Sequence, residues 1–472
     1  MGSLRFFKMH LRVPFLLLAL MEFIVCVVAV YVAVYVRFDG RLSEADLLRY
    51  NIQSPVLTAV LFGLVMPMTM MAMGLYQSRF RGGVMGVFLR SISGFIAGGV
   101  ILAIFYYVIP DLYLGRGIFA IAVIVAFFMV GTIRPLFFYY VDRDLLKIRV
   151  LVYGTGDTAA SIRKRLRRRV DRRGFSIVGY IKPSSDSRIE VEPGLVLERP
   201  ESLLEYCIEN DIDEIVVAMD EKRNSKPLDA LLRCKINGIE ISDILGFFER
   251  EQGKIPLDIM RPDWLIYSDG FERSALKGVM KRAFDIIASA LIIAITLPFM
   301  LFAIIAIKIE DGWKAPVIYQ QDRVGLLGQS FAVLKFRSMS VNAEKAGVAQ
   351  WATKNDSRVT KVGAFMRTTR IDELPQILNV LRGDMSFVGP RPERPQFVEA
   401  LGNQIPYYHE RHAVKPGITG WAQVCYPYGA SINDSIQKQE FDLYYIKNHT
   451  IFLDILILAQ TAEVVLFGKG AR

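Results

Sequence analysis

Two adjacent carboxylates, Asp372 and Glu373, are the residues of this sequence whose types and spacing best support chemistry. Arg367 and Arg370 precede them, and Pro375 follows. Proline is tolerated in the first turn of a helix, so Asp372 is predicted near an N-cap and Glu373 in the first turn. A helix N-terminus flanked by arginines favours an anion such as phosphate. The same surroundings predict a lowered pKa for Asp372, which would keep it ionised and nucleophilic, although aspartate is also a common N-cap.

A carboxylate placed beside phosphate-binding arginines needs a divalent cation to offset the repulsion between the two anions. Glu373 is the predicted oxygen ligand for Mg²⁺. A Gly-Pro-Arg-Pro loop that contains Arg391 follows the same predicted helix, although a proline-fixed loop also suits a structural salt bridge. Hydrolysis by a Ser/His/Asp triad is disfavoured, because the chain has only four histidines and none lies in a GxSxG context.

A second motif, in the middle of the chain, resembles the opening of a dinucleotide-binding unit. The apolar segment 148–153 is followed by Gly154-Thr-Gly156-Asp-Thr-Ala and a strongly basic helix. Alternating strands and helices up to about residue 244 predict a small Rossmann-like α/β domain. No acidic residue ends the second strand, where Lys182 stands instead. Two interpretations therefore remain open: a nucleotide loop at Gly154 and Gly156, or a scaffold without a ligand.

Four apolar runs before residue 145 predict helices that cross a membrane. The runs are Val13–Val36, Val56–Tyr76, Ile92–Ile109 and Gly117–Val141. The first run carries Glu22 and lacks a cleavage site, which disfavours a signal peptide. Lys and Arg concentrate at the N-terminus, in the second loop and after the fourth run. By the positive-inside rule these places are cytoplasmic, so the chain is predicted to return to the cytoplasm near residue 142.

A fifth apolar run, Phe284–Ile307, is long enough to span, but basic residues flank it on both sides. Pro298 lies within it and removes one backbone hydrogen bond, which predicts a bend. A re-entrant helix that enters and leaves the same leaflet fits both features better than a true span or a buried core helix. Leu297 precedes the proline and offers no polar group to hold the bend.

The composition agrees with a chain that has both membrane segments and regions that face water. The chain has 472 residues, of which 52% are hydrophobic and 22% charged, and its net charge is 57 − 47 = +10. The apolar content excludes a disordered chain, and the charge excludes a pure membrane bundle. Four widely separated cysteines disfavour both a disulfide framework and a zinc site. Nucleic acid is disfavoured as a partner, because the basic residues flank apolar runs or cluster near Asp372.

Several short motifs in one order resemble the bacterial sugar transferase family, that is, the monotopic polyprenol-phosphate phosphoglycosyl transferases. The resemblance covers about residues 276–472. Its motifs are Lys281-Arg-Ala-Phe-Asp285, Lys335-Phe-Arg-Ser-Met339, Asp372-Glu-Leu-Pro-Gln376, Gly389-Pro-Arg-Pro392 and Pro416-Gly-Ile-Thr-Gly-Trp-Ala-Gln423. The N-terminal helices resemble the long members, typified by undecaprenyl-phosphate glucose phosphotransferases of exopolysaccharide synthesis.

The resemblance implies transfer of a sugar 1-phosphate from a UDP-sugar, best UDP-glucose, to undecaprenyl phosphate through a covalent aspartyl intermediate on Asp372, with release of UMP. It implies Mg²⁺ on Glu373, a re-entrant helix bent at Pro298, and a homodimer. The implied substrate-binding residues are Lys335, Arg337, Arg367, Arg370, Arg391 and Arg394. It also implies a multi-pass protein of the bacterial inner membrane whose catalytic domain faces the cytoplasm.

The predicted domains are a four-helix transmembrane domain (1–145), a Rossmann-like domain (146–250), a linker (251–275) and a mostly α-helical catalytic domain (276–472). Two alternative functions remain. One is a membrane-anchored NAD-dependent sugar-nucleotide dehydratase or epimerase, which needs a Tyr-x-x-x-Lys pair that is not convincingly placed here. The other is a non-catalytic polysaccharide assembly protein, which would not need the Asp372–Glu373 cluster.

Overall fold

The computed structural model describes residues 3–6, 9–38, 55–76, 84–141, 147–167, 172, 174–183, 188–220, 227–271, 274–340, 358–427, 429 and 431–467. The chain divides into two compact units, Met1–Gly253 and Lys254–Arg472. The loops 39–54 and 77–83, whose charges predict the membrane orientation, lie outside the described residues, as do positions 168–171 of the predicted basic helix.

The predicted membrane runs are all helical. A hairpin of β1 (Ser3–Phe6) and β2 (Met9–Arg12) precedes α1 (Val13–Arg37), α2 (Pro55–Ala72), α3 (Val84–Val108) and α4 (Arg116–Val141). Leu16–Arg37, Arg90–Val108 and Arg116–Phe137 are long and apolar enough to cross a membrane, whereas Val56–Met71 in α2 is shorter. Crossing by α2 therefore stays a prediction.

A buried ion pair ties three of these helical segments together. Glu22 of α1 and Arg134 of α4 are almost completely buried, and Glu22 Oε1 lies 2.6 Å from Arg134 Nε. The Tyr76 hydroxyl, just beyond α2, donates to Glu22. Charged groups are tolerated in an apolar bundle when they pair inside it. Glu22 thus has a packing role between helices of this unit.

The α/β part of the first unit is a five-stranded parallel sheet with strand order β5-β4-β3-β6-β7. Its strands are β3 (Ile148–Tyr153), β4 (Phe175–Ile181), β5 (Val196–Leu197), β6 (Glu214–Val217) and β7 (Glu240–Asp243). Its helices are α5 (Asp157–Arg165), α6 (Leu203–Glu209), α7 (Leu228–Ile236) and α8 (Ile244–Gln252). The predicted Rossmann-like arrangement is confirmed. The sequence analysis does not predict α8, because its first residues, Ile244 and Leu245, are apolar and directly follow the strand β7.

The second unit is mostly helical, with short strands that position the motifs. It contains α9 (Pro262–Tyr267), α10 (Ala275–Asp311), α11 (Lys361–Thr369), α12 (Gln376–Arg382), α13 (Pro395–Gly402), α14 (Trp421–Cys425), α15 (Ile432–Asn448) and α16 (Ile451–Phe467). An antiparallel hairpin joins β8 (Ile318–Val324) to β9 (Ser330–Phe336), and a parallel pair joins β10 (Ser386–Val388) to β11 (Gly417–Thr419).

The helix α10 runs unbroken for 37 residues and contains Pro298. The re-entrant bend expected there stays a prediction. One expectation about this region is wrong: although Leu297 is apolar, a polar neighbour does lie one residue earlier. The Thr296 hydroxyl donates to the Ile292 carbonyl oxygen at 2.7 Å. Such a bond from a Ser or Thr side chain to the carbonyl four residues earlier favours helix bending, so the chain adds a second bending element beside the proline.

Both ends of α10 are fastened to the same unit. Near its start, Arg282 donates two hydrogen bonds of 2.5 Å to the carbonyls of Val380 and Leu381 at the end of α12. One turn later, Asp285 accepts from the Ser386 hydroxyl at 2.9 Å. A cation at the C-terminus of α12 also complements the helix dipole.

At the other end of α10, the Glu310 carboxylate accepts from the backbone N–H groups of Lys361 and Val362 at 2.8 and 3.0 Å, which caps α11. Asp311 accepts from Arg337 at 2.8 Å. Between the two ends, large apolar side chains stay exposed, for example Ile287, Leu291, Ile295, Phe299 and Phe302. Among the described residues, the polar attachments of α10 to other elements therefore lie towards its ends, and its middle presents an apolar surface.

Candidate active site

Asp372 and Glu373 lie in a 3-10 turn, Ile371–Glu373, that precedes the helix α12. Asp372 lies three residues before the N-cap of α12, Pro375, and the expected place of Glu373 in the first turn of this helix is wrong, because α12 begins at Gln376. Arg370 ends α11 in the left-handed region with φ of 61°, which costs a non-glycine residue roughly 1 kcal/mol. This turn joins two helices, and the contact of Glu373 with Lys335 places the carboxylate pair next to the end of β9.

Glu373 is held by two cations from distant parts of the sequence. Its Oε1 lies 3.0 Å from Lys335 Nζ at the end of β9 and 3.1 Å from Arg391 Nη2. Burial by itself would raise the pKa of Glu373, but the positive charges of Arg391, Lys335 and Arg370 outweigh it and lower that pKa strongly. Burial lowers the pKa of Lys335 despite the attraction of Glu373. Glu373 is therefore a negative charge held in place by neighbouring cations.

Asp372 has the opposite character. Its side chain is 8% exposed, and Oδ1 is buried without a hydrogen-bond partner among the described residues. Burial, with the neighbouring Glu373 charge, raises the pKa of Asp372 to about 6, although Lys335, Arg370 and Arg367 oppose this. The expectation of a lowered pKa is therefore wrong, because desolvation outweighs the surrounding cations. A buried carboxylate oxygen without a partner among the described residues, near several cations, makes Asp372 a candidate functional group.

The parallel pair β10–β11 brings the Gly-Pro-Arg-Pro loop to this carboxylate pair. Gly389 N–H donates to the Thr419 carbonyl at 2.9 Å, and Gly417 N–H donates to the Pro390 carbonyl at 3.0 Å. A Cβ on Gly389 would lie 2.3 Å from the Lys415 carbonyl oxygen, and a Cβ on Gly417 would lie 2.1 Å from the Gly389 nitrogen. Two motifs that are separate in sequence thus pack backbone against backbone, which fixes the loop from which Arg391 reaches Glu373.

Sequence reasoning missed Arg411, which positions this loop from beneath. Its buried guanidinium donates to the Arg391 carbonyl at 3.1 Å, to Asp442 at 2.8 Å and to the Tyr408 hydroxyl at 2.6 Å. Burial raises the pKa of Asp442 to about 6 in spite of the attached Arg411. Nothing in the spacing of Arg411 relative to the motifs marks this role, because two of its three partners, Arg391 and Asp442, lie 20 and 31 residues away in the sequence.

The structure separates the predicted substrate-binding cations into two groups. Lys335 and Arg391 contact Glu373, and the charges of Arg367 and Arg370 act on Asp372. Arg337 instead pairs with Asp311 and is 6% exposed, although its Nε and Nη1 have no partner among the described residues. Arg394 is the N-cap of α13, and its charge acts on Arg323.

A metal at this site would depend on very few protein oxygens. The described residues contain no group of three His, Cys, Asp or Glu side chains that could hold an ion. Glu373 Oε1 already has two cationic partners, while the adjacent Asp372 Oδ1 has no hydrogen-bond partner in the part of the chain that the structure describes. Mg²⁺ is commonly bound by one or two carboxylates together with substrate phosphates and water. The residues therefore fit a magnesium ion shared with a bound phosphate group, and do not form a protein-only metal cage.

The predicted nucleotide loop lies in the other unit, between β3 and α5. Gly154 has φ of +144°, and Gly156 is the N-cap of α5. The loop has the expected strand–turn–helix context, but the Asp220 carboxylate accepts the N–H groups of Asp157 and Thr158 at 3.0 and 2.8 Å. These are the first N–H groups of the helix, where a phosphate group would bind.

Two family models match the chain. Residues 276–468 match the model described as bacterial sugar transferase, and residues 71–242 match the model described as CoA-binding domain. The first region contains the whole Asp372–Glu373 site, and the second contains the Gly154–Gly156 loop.

Curated relatives are similar over different lengths. A UDP-N-acetylgalactosamine-undecaprenyl-phosphate N-acetylgalactosaminephosphotransferase of Aeromonas hydrophila is 43% identical over 51% of this chain and 56% of its own length. A UDP-glucose:undecaprenyl-phosphate glucose-1-phosphate transferase of Xanthomonas campestris pv. campestris is 36% identical over 63% of this chain and 62% of its own length. An uncharacterized sugar transferase of Haemophilus influenzae is 30% identical over 79% of this chain and 81% of its own length. The chain thus spans little more than half the length of the first two.

Proposed function

This chain belongs to the bacterial sugar transferase family, and we propose that it transfers a sugar 1-phosphate from a UDP-sugar to undecaprenyl phosphate. The observation that carries the proposal is the buried Oδ1 of Asp372, which has no partner among the described residues and lies among cations. The product would serve as the first lipid-linked sugar of exopolysaccharide or O-antigen-type glycan assembly.

Binding of the donor diphosphate relies on the cations around the carboxylate pair. Lys335 and Arg391 are anchored on Glu373 and present positive charge beside Asp372. Arg367 and Arg370 add charge from the end of α11 and the turn that follows it. Arginine and lysine are suited to phosphate oxygens, arginine through its planar pair of donors. These four residues are the best candidates for phosphate contacts, ahead of Arg337 and Arg394.

In the first step, the Asp372 carboxylate oxygen attacks the β-phosphorus of the UDP-sugar. An acyl phosphate bond forms, and the bond between the β-phosphorus and the bridging oxygen breaks. The bridging oxygen and the electron pair leave with the α-phosphate as UMP. The attack requires the ionised carboxylate, which predominates at neutral pH because the pKa of Asp372 is about 6. An unpartnered oxygen need not break a protein hydrogen bond before it reacts.

In the second step, a phosphate oxygen of undecaprenyl phosphate attacks the same phosphorus. The bond to Asp372 breaks, the carboxylate is restored, and undecaprenyl-diphospho-sugar is released. Glu373 would help to hold Mg²⁺ when donor phosphates are present, and the ion would offset the charge of two phosphates beside two carboxylates. Glu373, Lys335 and Arg391 meanwhile keep the site organised by mutual attraction.

The acceptor requires the site to lie at a membrane surface, and the attachment of α10 supports such a location. A straight helix of 37 residues would be about 56 Å long, far beyond the hydrocarbon thickness of about 30 Å. Both of its ends bind polar partners within the unit Lys254–Arg472. We therefore propose that its apolar middle enters and leaves one leaflet, bent near Pro298, with the site on the cytoplasmic face of the inner membrane.

Transfer assays test the proposed reaction directly. Purified protein in lipid nanodiscs is incubated with a radiolabelled UDP-sugar, undecaprenyl phosphate and Mg²⁺, and both lipid-linked label and UMP are measured. UDP-glucose is the expected donor, with UDP-N-acetylgalactosamine as the main comparison, because relatives carry either sugar in their names. Equal amounts of both products support the transferase, and their absence with every donor would overturn it. Activity that persists without a divalent cation would remove the role of Glu373 with Mg²⁺.

Cysteine labelling tests the re-entrant arrangement independently of activity. Leu276 and Trp313 are exposed at the two ends of α10 and are suitable positions for single cysteines in a background without native cysteines. In inside-out vesicles, both positions should react with a membrane-impermeant maleimide. Reaction of the two positions from opposite sides would establish a span and contradict the proposal.

A further inference from the structure

The Gly154–Gly156 loop lies at the place where a Rossmann-like sheet ordinarily binds its ligand. The strand order β5-β4-β3-β6-β7 reverses direction between β3 and β6. Ligands of such sheets bind beyond the carboxyl ends of the strands at this switch point. Asp220 follows the end of β6 by three residues and therefore lies in the same crevice as the loop after β3.

The Asp220 carboxylate makes the contacts that a phosphate group would make there. Its Oδ2 accepts from Asp157 N–H at 3.0 Å, and its Oδ1 accepts from Thr158 N–H at 2.8 Å. Both oxygens of the carboxylate thus bind the first free N–H groups of α5. The N-terminus of a helix favours a negative charge, and this carboxylate supplies one from within the chain.

The space made by the two glycines is filled by the same segment. A Cβ on Gly156 would lie 1.8 Å from Asp220 Oδ2, and a Cβ on Gly154 would lie 2.2 Å from the Ala218 carbonyl oxygen. In a dinucleotide-binding loop, these glycines allow the pyrophosphate to approach the backbone. Here they allow residues 218–220 to approach instead.

The opposite side of the loop is also occupied. Thr155 is completely buried, its carbonyl accepts from Glu190 N–H at 2.9 Å, and its hydroxyl donates to the Arg188 carbonyl at 3.4 Å. Asp157 adds a second negative charge at the first position of α5. A phosphate group entering here would have to displace the Asp220 carboxylate.

We infer that Asp220 is the resident anion of this loop, and that it excludes CoA and dinucleotide pyrophosphates from a unit whose family is described as CoA-binding. The carboxylate ties the end of β6 to the start of α5, so the unit acts as a closed scaffold. The residues present do not fit a phosphate-bearing cofactor in the loop. This also removes the structural basis for the NAD-dependent alternative function. The inference is independent of the proposed transferase activity.

Calorimetric titration of the full chain in nanodiscs with CoA, ADP and inorganic pyrophosphate tests the inference. Wild-type protein should show no saturable binding of these probes at millimolar concentration, which sets a lower limit of about 1 mM on its Kd. Asp220→Ala should bind pyrophosphate or ADP saturably, at least about tenfold more tightly than that limit, a change of at least about 1.4 kcal/mol. Asp229→Ala is the matched control, because it removes an exposed aspartate from the first turn of α7, away from the loop.

Saturable CoA binding by wild type that Asp220→Ala leaves unchanged would overturn the inference. It would equally fail if neither wild type nor Asp220→Ala bound any of the phosphates, because the carboxylate would then not be what excludes them. Asp220→Asn provides a variant of the same size should Asp220→Ala fail to fold. Hydrogen exchange adds a readout without a ligand: both variants should exchange faster than Asp229→Ala in the peptide that covers Asp157 and Thr158. Unchanged exchange would contradict the proposed contact.

Discussion

Two aspartates of this protein, Asp220 at the start of α5 and Asp372 among the cations before α12, differ in burial and in hydrogen bonding. Asp220 is exposed, and both its oxygens accept backbone N–H groups of α5. Asp372 is buried, and its Oδ1 has no partner among the described residues. Hydrogen bonds from Thr158 and Asp157 lower the pKa of Asp220 although its partial burial opposes this, whereas burial raises that of Asp372 to about 6. The Asp220 carboxylate, whose oxygens both accept hydrogen bonds, occupies the anion position at the start of α5. The Asp372 carboxylate, whose Oδ1 has no partner among the described residues, is available to react with a substrate.

Among the variants that test this comparison, Asp372→Asn is expected to have the largest effect on activity. Without the carboxylate nucleophile, sugar-phosphate transfer should fall by at least about 1000-fold, because covalent catalysis supplies several kcal/mol of the barrier reduction. The rate of lipid-linked product formation measures the effect. Asp322→Asn, an exposed change in β8, is the matched control and should keep wild-type activity. Transfer by Asp372→Asn at a wild-type rate would remove Asp372 from the mechanism.

Arg391→Ala should reduce transfer by about 100-fold, a loss of about 2.7 kcal/mol in transition-state stabilisation. The variant removes a phosphate donor and leaves Glu373 with Lys335 as its remaining direct cationic partner. Arg391→Lys should recover part of the activity, since it keeps the charge and loses the planar pair of donors. Arg233→Ala, an exposed change in α7, controls for loss of charge. Equal activity of Arg391→Ala and Arg233→Ala would contradict the assignment.

Gly156→Ala tests the contact between Asp220 and the Gly154–Gly156 loop. The φ of Gly156 is −85°, which alanine tolerates, so the contact with Asp220 at 1.8 Å is the expected source of strain. Such overpacking typically costs about 1–3 kcal/mol and should lower the midpoint of thermal unfolding. Gly194→Ala, which meets nothing within 4 Å, is the control. In the double variant with Asp220→Ala most of the loss should disappear, and simple additivity of the two changes would refute the contact.

The pH dependence of kcat/KM tests the protonation state of Asp372, the carboxylate whose Oδ1 has no partner among the described residues. Because the carboxylate of Asp372 must be ionised, activity should fall tenfold per pH unit below a pKa of about 6 and level off above it. Lys335→Met removes a positive charge that lowers this pKa, so the acidic limb should move to higher pH by up to about one unit. Lys314→Met, in the exposed turn after α10, should leave the limb in place. A limb that moves to lower pH in Lys335→Met would contradict the electrostatic account.

Local patterns predicted much of the fold. The four N-terminal apolar runs are helices, and the α/β part has the alternating strands and helices that the sequence predicts up to about residue 244. Periodicity and turn residues act over short distances, so they can be recognised without a structure. The parallel pairing of β10 with β11 was not foreseen, because it joins segments about 30 residues apart through backbone bonds that no periodicity encodes.

Adjacency along the chain sets which groups share the turn before α12 and the turn after β3. It thereby placed Asp372 beside Glu373, and Gly154 beside the helix that begins at Asp157. The tertiary structure sets what each of these groups contacts. It brought Lys335 and Arg391 to Glu373, turned Arg337 towards Asp311, and filled the glycine loop with Asp220. The reason is physical: burial and charge depend on neighbours distant in the chain, and these set both the pKa of Asp372 and the occupancy of the loop.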